Sequence, residues 1–218
     1  MKIRYALLAA LFTPLMSSAS VLETAYTDLE NDIHHNMAPA CGARKDTDIV
    51  KTEFLALENE YQVIFHLAGP VNQTVGYKEY YVWVDANPDD KVGYQPYNPH
   101  SVAWPDLYAD FRVMLTIQGA EHPLAPPSYG VMSQDCKATD CSKDDGLKAN
   151  SRIKAKVEGN IVKLAWSKAA FKDLKGKQSV KVGYTSFYDH NFCNGEDDSP
   201  QWGENAHDVE LDNTVIPH

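Results

Sequence analysis

After its first twenty residues, the chain has no apolar run that could cross a membrane. A transmembrane helix needs about 20 apolar residues, and the N-terminal run "YALLAALFTPLM" is shorter than that. Lys2 and Arg4 precede this run, and the small residues Ser17 and Ala19 follow it at the spacing of a cleavage site. The sequence therefore predicts a signal peptide over residues 1–19 and a protein exported to the periplasm or the extracellular space.

Motifs of the common enzyme classes are also missing. The chain has no G-x-S-x-G turn, no H-E-x-x-H motif and no phosphate-binding loop. Carboxylates suited to glycoside hydrolysis are plentiful, but one sequence does not show that two of them face each other. The pattern favours a binding protein, with a secreted hydrolase that uses loop carboxylates such as Asp189 and Glu196 as the alternative.

Positive charge is in short supply. The chain has 20 Lys and Arg residues against 30 Asp and Glu residues, which gives a formal net charge of −10. Nucleic acids and anionic membranes are bound through basic patches. The charge balance therefore argues against both partners, whereas it suits a soluble exported protein and divalent cations.

The cysteines are few but even in number. An exported chain with four cysteines is expected to form disulfides, and four cysteines allow three pairings. Cys136 and Cys141 enclose the polar turn "KATD" and can close locally, which leaves Cys41 to pair with Cys193. A zinc site is the alternative, although the chain has no second close pair of cysteines to complete it.

Period-two alternation of apolar residues predicts most of the secondary structure. The predicted strands and hairpins are 54–67, 110–119, 152–166 and 179–189, with tight turns at Asn59-Glu60 and Glu158-Gly159-Asn160. One short helix is predicted from an N-cap at Ser167 to an end at Gly176. This pattern indicates an all-β fold, an antiparallel, jelly-roll-like β-sandwich with one short helix and long loops.

No linker divides the rest of the chain, so we expect one domain. Residues 20–45 are predicted to be an N-terminal extension and residues 46–218 to be the β-sandwich binding domain. Within the latter, "DTDIV", "YYVWVDAN", "ADFRVML", "VEGN" and "LAWSKAAF" follow one another in an order that resembles family 9 carbohydrate-binding modules and DOMON-like domains. This resemblance covers roughly residues 46–200 and implies an extracellular module that binds sugars or, in some branches, haem, often with structural calcium.

An acidic turn follows the apolar strand in "YYVWVDANPDDKVGY". Asp85, Asn87 and Asp89 alternate there, and calcium takes six to eight oxygen ligands in flexible geometry. The resemblance maps Asp85 onto an Asp that closes this strand in the related modules. The sequence therefore predicts a structural Ca²⁺ site at these three residues, and the alternative is a solvated acidic loop.

Aromatic residues are concentrated in a proline-rich segment, 93–108, that is unsuited to a central strand. Aromatic rings stack on the apolar faces of sugars, while neighbouring polar groups bind the hydroxyls. We therefore predict Tyr97 and Trp104 as ligand contacts, with Trp202 closing the site from a second loop. The alternative is a loop that folds back over a sheet edge, with its rings forming a minor core.

Two other groups have simpler interpretations. Trp83 and Trp166 alternate with apolar residues and are assigned to core packing. His34, His35 and Met37 could ligate copper or haem, but adjacent histidines on a strand point in opposite directions. A flexible N-terminal segment explains them more simply.

The predicted function is therefore that of a secreted or periplasmic carbohydrate-binding module with structural calcium. Two alternatives stand beside it. One is the secreted hydrolase with loop carboxylates, and the other is a haem-binding or redox domain of the DOMON-like type. A carbohydrate is the expected partner, and nucleic acid and a membrane span are not expected.

Overall fold

The computed structural model describes residues 22–30, 34–35, 44–97, 103–119, 128–143, 146–190, 193–200, 204 and 206–211. At 22, 34–35, 128–129, 190 and 193–196 the description covers the backbone alone. The predicted signal peptide lies outside these residues. No helix within them is long and apolar enough to cross a membrane.

Strands make up the fold, and the described residues form thirteen of them. Their bounds are β1 Leu22–Thr27, β2 His34–His35, β3 Ile49–Ala56, β4 Glu60–Leu67, β5 Tyr77–Asp85, β6 Phe111–Gln118, β7 Ser128–Asp135, β8 Lys148–Ala149, β9 Ile153–Glu158, β10 Ile161–Ser167, β11 Ser179–His190, β12 Cys193–Ser199 and β13 His207–Glu210. One 3₁₀ turn, Lys172–Leu174, lies between β10 and β11.

The strands form two antiparallel sheets. The five-stranded sheet has the order β1-β3-β4-β10-β9. The eight-stranded sheet has the order β2-β12-β11-β5-β6-β7-β8, and β13 also pairs with β11. Every strand pair is antiparallel. The predicted antiparallel β-sandwich is therefore confirmed.

Both predicted hairpins form. β3 and β4 pair from Ala56 opposite Tyr61, and β9 and β10 pair from Glu158 opposite Ile161. The second hairpin turns through Gly159, whose φ of 61° is left-handed and therefore favours glycine. Alternation along each strand is what made these hairpins predictable.

The predicted helix after Ser167 is wrong in extent. The Ser167 hydroxyl accepts a hydrogen bond from the amide of Ala169 at 3.2 Å, as a cap would. Phe171 is nevertheless extended, with φ −122° and ψ 119°. Its ring stacks on Phe111 with centroids 3.9 Å apart, so packing interrupts the helix and leaves only the 3₁₀ turn.

The main core lies between the sheets and consists of side chains from alternate positions of both. Trp166 is 1% exposed and meets the ring of Phe54 edge to face, so its assignment to the core is confirmed. Tyr80 and Tyr184 pack on Phe65 from the opposite sheet. The fully buried aromatic rings fix how the two sheets face each other.

The structure contains the predicted local disulfide, Cys136–Cys141, with an S–S distance of 2.13 Å. The pairing of Cys41 with Cys193 stays a prediction, because Cys41 lies outside the described residues and Cys193 is described by its backbone alone. Two pieces of the predicted N-terminal extension join the sandwich. β1 pairs with β3 and β2 pairs with β12.

Candidate ligand-binding site

The site lies on the outer face of the eight-stranded sheet and is built on β5. Tyr80 and Val82 point into the main core and are fully buried. Glu79, Tyr81 and Trp83 alternate with them and therefore point outward. β5 carries large side chains on both faces, because its outer face is partly covered as well.

The cover is the loop between β5 and β6, which folds back over the sheet. Tyr94 and Ala109 pair through two backbone hydrogen bonds of 3.0 and 2.7 Å. Between them, Trp104 is fully buried in a second apolar cluster with Trp83 and the Cys136–Cys141 disulfide. The loop and the disulfide thus leave only part of the outer face open.

An open pocket of about 250 Å³ remains beside the loop. Its walls come from three neighbouring strands, the covering loop and the disulfide turn. The lining residues are Glu79, Tyr81, Trp83, Tyr94, Arg112, Cys141, Ser142, Thr185 and Phe187. Because β5 lies between β6 and β11, its outward side chains form the floor of the pocket.

Aromatic rings line this floor and its rim. Tyr81 and Trp83 lie with ring centroids 5.6 Å apart and planes 16° from parallel. Tyr94 is 5.7 Å from Trp83, and Tyr97 is 6.2 Å from Tyr94. The Trp83 indole N–H donates to the Thr185 hydroxyl at 3.1 Å, which fixes the ring on the sheet. The result is a continuous aromatic surface from the floor to the rim.

A buried cation lies next to these rings. Arg112 is 4% exposed, and its Nε donates to Gln134 Oε1 at 2.8 Å. Its Nη2 donates to the Lys143 carbonyl at 3.2 Å. The guanidinium carbon is 5.5 Å from the Tyr81 ring centroid and 5.3 Å from the Trp83 ring centroid, within cation–π range. Arg112 is thus held in one orientation at the pocket wall.

A carboxylate supplies the opposite charge. Glu79 is 6% exposed and accepts hydrogen bonds from the hydroxyls of Tyr77 and Tyr81. Burial, followed by the nearby Glu79 carboxylate, raises the pKa of Tyr81 well above its usual range. The Tyr81 hydroxyl therefore stays protonated and keeps donating to Glu79. The pocket combines flat rings, a fixed hydrogen-bond acceptor and a fixed cation.

The positions of the predicted ligand contacts differ from one another. Tyr97 is 52% exposed at the rim of the aromatic surface. Trp104 does not fit the prediction of a sugar platform, because it is fully buried and its indole N–H donates to the Pro200 carbonyl at 2.7 Å. Proline-rich loops are often exposed, but this one packs on Gly183, where a Cβ would lie 2.4 Å from the Trp104 ring. Trp202 lies outside the described residues.

The acidic turn after β5 holds the covering loop in place. Asp85 is fully buried, and its carboxylate accepts from the amides of Asn87 at 2.9 Å and Tyr108 at 3.0 Å. Burial raises the pKa of Asp85 to about 6, although these two hydrogen bonds oppose the rise. The Asn87 side-chain oxygen accepts from the Lys177 ammonium. Asp85 therefore ties both ends of the loop 87–108 to the sheet.

The structure does not bring the predicted calcium ligands together into a cage. Asp85 is engaged by backbone amides, Asn87 by Lys177, and Asp89 is exposed. No group of three or more His, Cys, Asp or Glu side chains suited to a metal ion is found in the part of the chain that is described. Calcium at this turn stays a prediction.

The sequence did not identify the residues that make the pocket. Trp83 was assigned to core packing, and it is 7% exposed, yet its ring lies on the outer face and lines the pocket. Glu79, Tyr81 and Arg112 carried no motif. The one available signal was that both alternating sets of β5 contain large residues, which indicates a strand covered on both faces.

Comparison with known proteins adds no family to this description. No protein-family model matches the chain, and no curated protein matches it. The function is therefore inferred from the chemistry of the pocket residues themselves.

Proposed function

We propose that this protein is an exported carbohydrate-binding module and that the pocket on the outer face of the eight-stranded sheet binds a sugar. One arrangement supports this most strongly. Tyr81 and Trp83 form a nearly parallel pair of rings, and Glu79 and Arg112 flank them. The Cys136–Cys141 disulfide supports export, because disulfides persist in oxidising compartments.

The chemistry of a sugar matches these groups. The C–H faces of a pyranose ring pack against aromatic rings, and its hydroxyls both donate and accept hydrogen bonds. Glu79 accepts such bonds and Arg112 donates them, and both are held by neighbours before any ligand arrives. Preorganised partners reduce the entropy lost on binding.

The size of the pocket fits a small polar ligand. Its volume of about 250 Å³ lies just below the range of about 300–1,000 Å³ typical of drug-sized ligands. Tyr97 extends the aromatic surface beyond the pocket, so a longer chain of sugars has further contact area at the rim.

Neither of the two alternatives from the sequence is supported by a site among the described residues. A hydrolase would need the Glu196 side chain beside Asp189, and Glu196 is described by its backbone alone. A haem would need an axial ligand, and neither histidine nor methionine is among the described residues that line the pocket. Cys141 is held in the disulfide, and burial raises the pKa of both Tyr81 and Tyr94, so these hydroxyls stay protonated and are poor ligands for iron. We therefore propose only the sugar-binding function.

A glycan screen followed by calorimetry tests the proposal. The glycan with the strongest signal is titrated into the wild type, Glu79→Gln and Arg112→Gln. Glu60→Gln, on the five-stranded sheet, is the matched control. A hydrogen bond to a charged group contributes about 1.5–3 kcal/mol, so each pocket variant should lose about ten- to a hundredfold in affinity, while the control keeps it.

Two results would overturn the proposal. One is a wild type that binds no glycan on a broad array of neutral and acidic sugars. The other is a pair of pocket variants that fold like the wild type and bind the glycan equally well, because the sugar would then bind elsewhere. Trp83 lines the pocket, so a shift of tryptophan emission on binding gives an independent signal.

A further inference from the structure

Positive charge is concentrated in one segment of this acidic protein. Residues 148–181 contain ten Lys and Arg residues and only two acidic residues, Glu158 and Asp173. The rest of the chain contains ten Lys and Arg residues against 28 acidic residues. A net charge of −10 therefore conceals a strongly basic region, and β9 and β10 both belong to it.

Three of these lysines lie together on the outer face of the five-stranded sheet. Lys156 of β9 is directly opposite Lys163 of β10, and Lys154 is opposite Ala165 in the next outward row. Lys154 and Lys156 are exposed and Lys163 is half-buried. We call Lys154, Lys156 and Lys163 the basic face.

The acidic residues near the basic face do not balance its charge. Lys156 pairs with Glu158 at 2.7 Å, between side chains that are 66% and 52% exposed. No ion pair within 4.0 Å involves Lys154 or Lys163 among the described residues. The hydrogen bond from Lys156, followed by the charges of Lys156 and Lys163, lowers the pKa of Glu158.

On the other half of the same sheet, by contrast, the basic side chains are paired with a carboxylate. On β3 and β4, Glu53 lies between Lys51 and His66 and contacts both, with 3.0 Å to His66. Cations on that half therefore have a local carboxylate. The excess of positive charge is confined to β9 and β10.

Folding alone does not explain this arrangement. Like charges directly opposite each other destabilise a sheet, as Lys156 and Lys163 are. Lysines on an edge strand protect it from pairing with another chain, which accounts for Lys154 and Lys156 on β9. β10 lies inside the sheet, between β9 and β4, so edge protection gives no reason for Lys163.

We propose that the basic face binds an acidic polysaccharide. A linear polymer with one carboxylate per sugar presents repeated anions to lysines that lie one row apart on a flat surface. Its binding would be independent of the pocket, which lies on the opposite outer face of the sandwich.

Other polyanions fit the surface less well. Proteins that bind single-stranded nucleic acid stack bases on exposed aromatic rings, and no Phe, Tyr or Trp side chain points outward from β9 or β10. Peripheral membrane binding combines basic residues with apolar residues that enter the bilayer. The outward residues of β9, Lys154, Lys156 and Glu158, are all charged. On β10, Ile161 and Ala165 flank Lys163 but are only half-exposed, so the outward positions of these two strands carry no fully exposed apolar side chain to enter a bilayer.

The test uses polygalacturonate, with its methyl ester as a neutral polymer of the same backbone. Binding is measured for the wild type, for Lys154→Gln/Lys156→Gln/Lys163→Gln, and for a control triple with the same loss of charge, Lys148→Gln/Lys172→Gln/Lys175→Gln. Those three control lysines are exposed and belong to the same segment, but they lie off the basic face. A triple Lys→Arg variant of the basic face keeps the charge.

The wild type should bind polygalacturonate, with affinity that falls steeply as salt rises, and should not bind the methyl ester. The basic-face Gln variant should lose at least tenfold in affinity and show a shallower salt dependence. The control triple and the Arg variant should bind like the wild type.

Three outcomes would refute the proposal. The Gln variant of the basic face could retain wild-type affinity, or the control triple could lose as much, which would make the effect one of net charge. Tighter binding to oligothymidylate or to vesicles with 30% anionic lipid than to polygalacturonate would assign the face to a different partner. Thermal melts of each variant exclude misfolding as the cause.

Discussion

Replacing Trp104 by Ala distinguishes a core residue from an exposed sugar platform. Trp104 is fully buried, packs on Gly183 and donates a hydrogen bond to the Pro200 carbonyl. Removing a buried tryptophan side chain costs about 3–5 kcal/mol of folding stability. A domain of this size loses about 2–4 °C of melting temperature per kcal/mol, so we expect Trp104→Ala to melt about 6–20 °C below the wild type.

The matched control is Tyr97→Ala, in the same loop. Tyr97 is 52% exposed, so its removal should change the melting temperature by about 2 °C or less. Circular dichroism at a single wavelength is sufficient for both melts. A Trp104→Ala protein that melts within 2 °C of the wild type would show that the ring is not buried, and would restore the platform interpretation. A Tyr97→Ala protein that melts as low as Trp104→Ala would refute its placement at the rim.

Three further predictions concern the turn and the disulfides. Because the pKa of Asp85 is raised to about 6 in the folded state, from about 3.9 when unfolded, the folded state binds more protons between these values. The free energy of unfolding of the wild type, relative to that of Asp85→Asn, should then fall as pH rises from about 4 to about 6. If the unfolding free energies of the two proteins change in parallel over this pH range, the prediction is refuted. Calcium, if it binds this turn, should raise the melting temperature by an amount that a chelator and Asp85→Ala both remove, and identical melts with calcium and chelator would reject the site. Thiol titration of the unfolded, unreduced protein should find no free cysteine, whereas two free thiols would reject the bridge between Cys41 and Cys193.

The strands were predictable because their signal is local. In β4, Tyr61, Val63 and Phe65 alternate with polar residues except at Ile64, and all three are fully buried. Such a pattern needs only neighbours in sequence, and the pairing register then follows from the turn. The β9–β10 hairpin is predictable for the same reason, since Gly159 and Asn160 are turn-forming residues that connect the two alternating segments directly.

The pocket was not predictable from the sequence, because its parts meet only across strands. Trp83 is opposite Arg112 on β6 and Gly183 on β11, residues 29 and 100 positions away. Within β5 alone, Trp83 has the pattern of a core residue. For Trp104, the sequence predicts an exposed ring and the structure shows a buried one. Its proline-rich surroundings are typical of an exposed loop and gave no sign of Gly183, on which the ring packs.

The acidic turn after β5 shows why a metal site could not be predicted from residue spacing alone. Asp85, Asn87 and Asp89 have the spacing of oxygen ligands, but spacing does not show which donors reach them first. Two backbone amides and one lysine do so in the folded chain. A carboxylate next to a long loop has many such amides within reach, and sequence alone does not rank them against a metal ion.

The contact between Gly183 and Trp104 links a position outside the pocket to the loop that covers it. Gly183 does not line the pocket, yet a single methyl group there would lie 2.4 to 2.8 Å from three atoms of the indole ring. The ring would have to move, and the loop that carries Tyr94 would move with it. If the pocket binds a sugar as proposed, Gly183→Ala would therefore change which sugars fit although every residue that lines the pocket stays the same, and selectivity would depend on a position that the ligand never contacts.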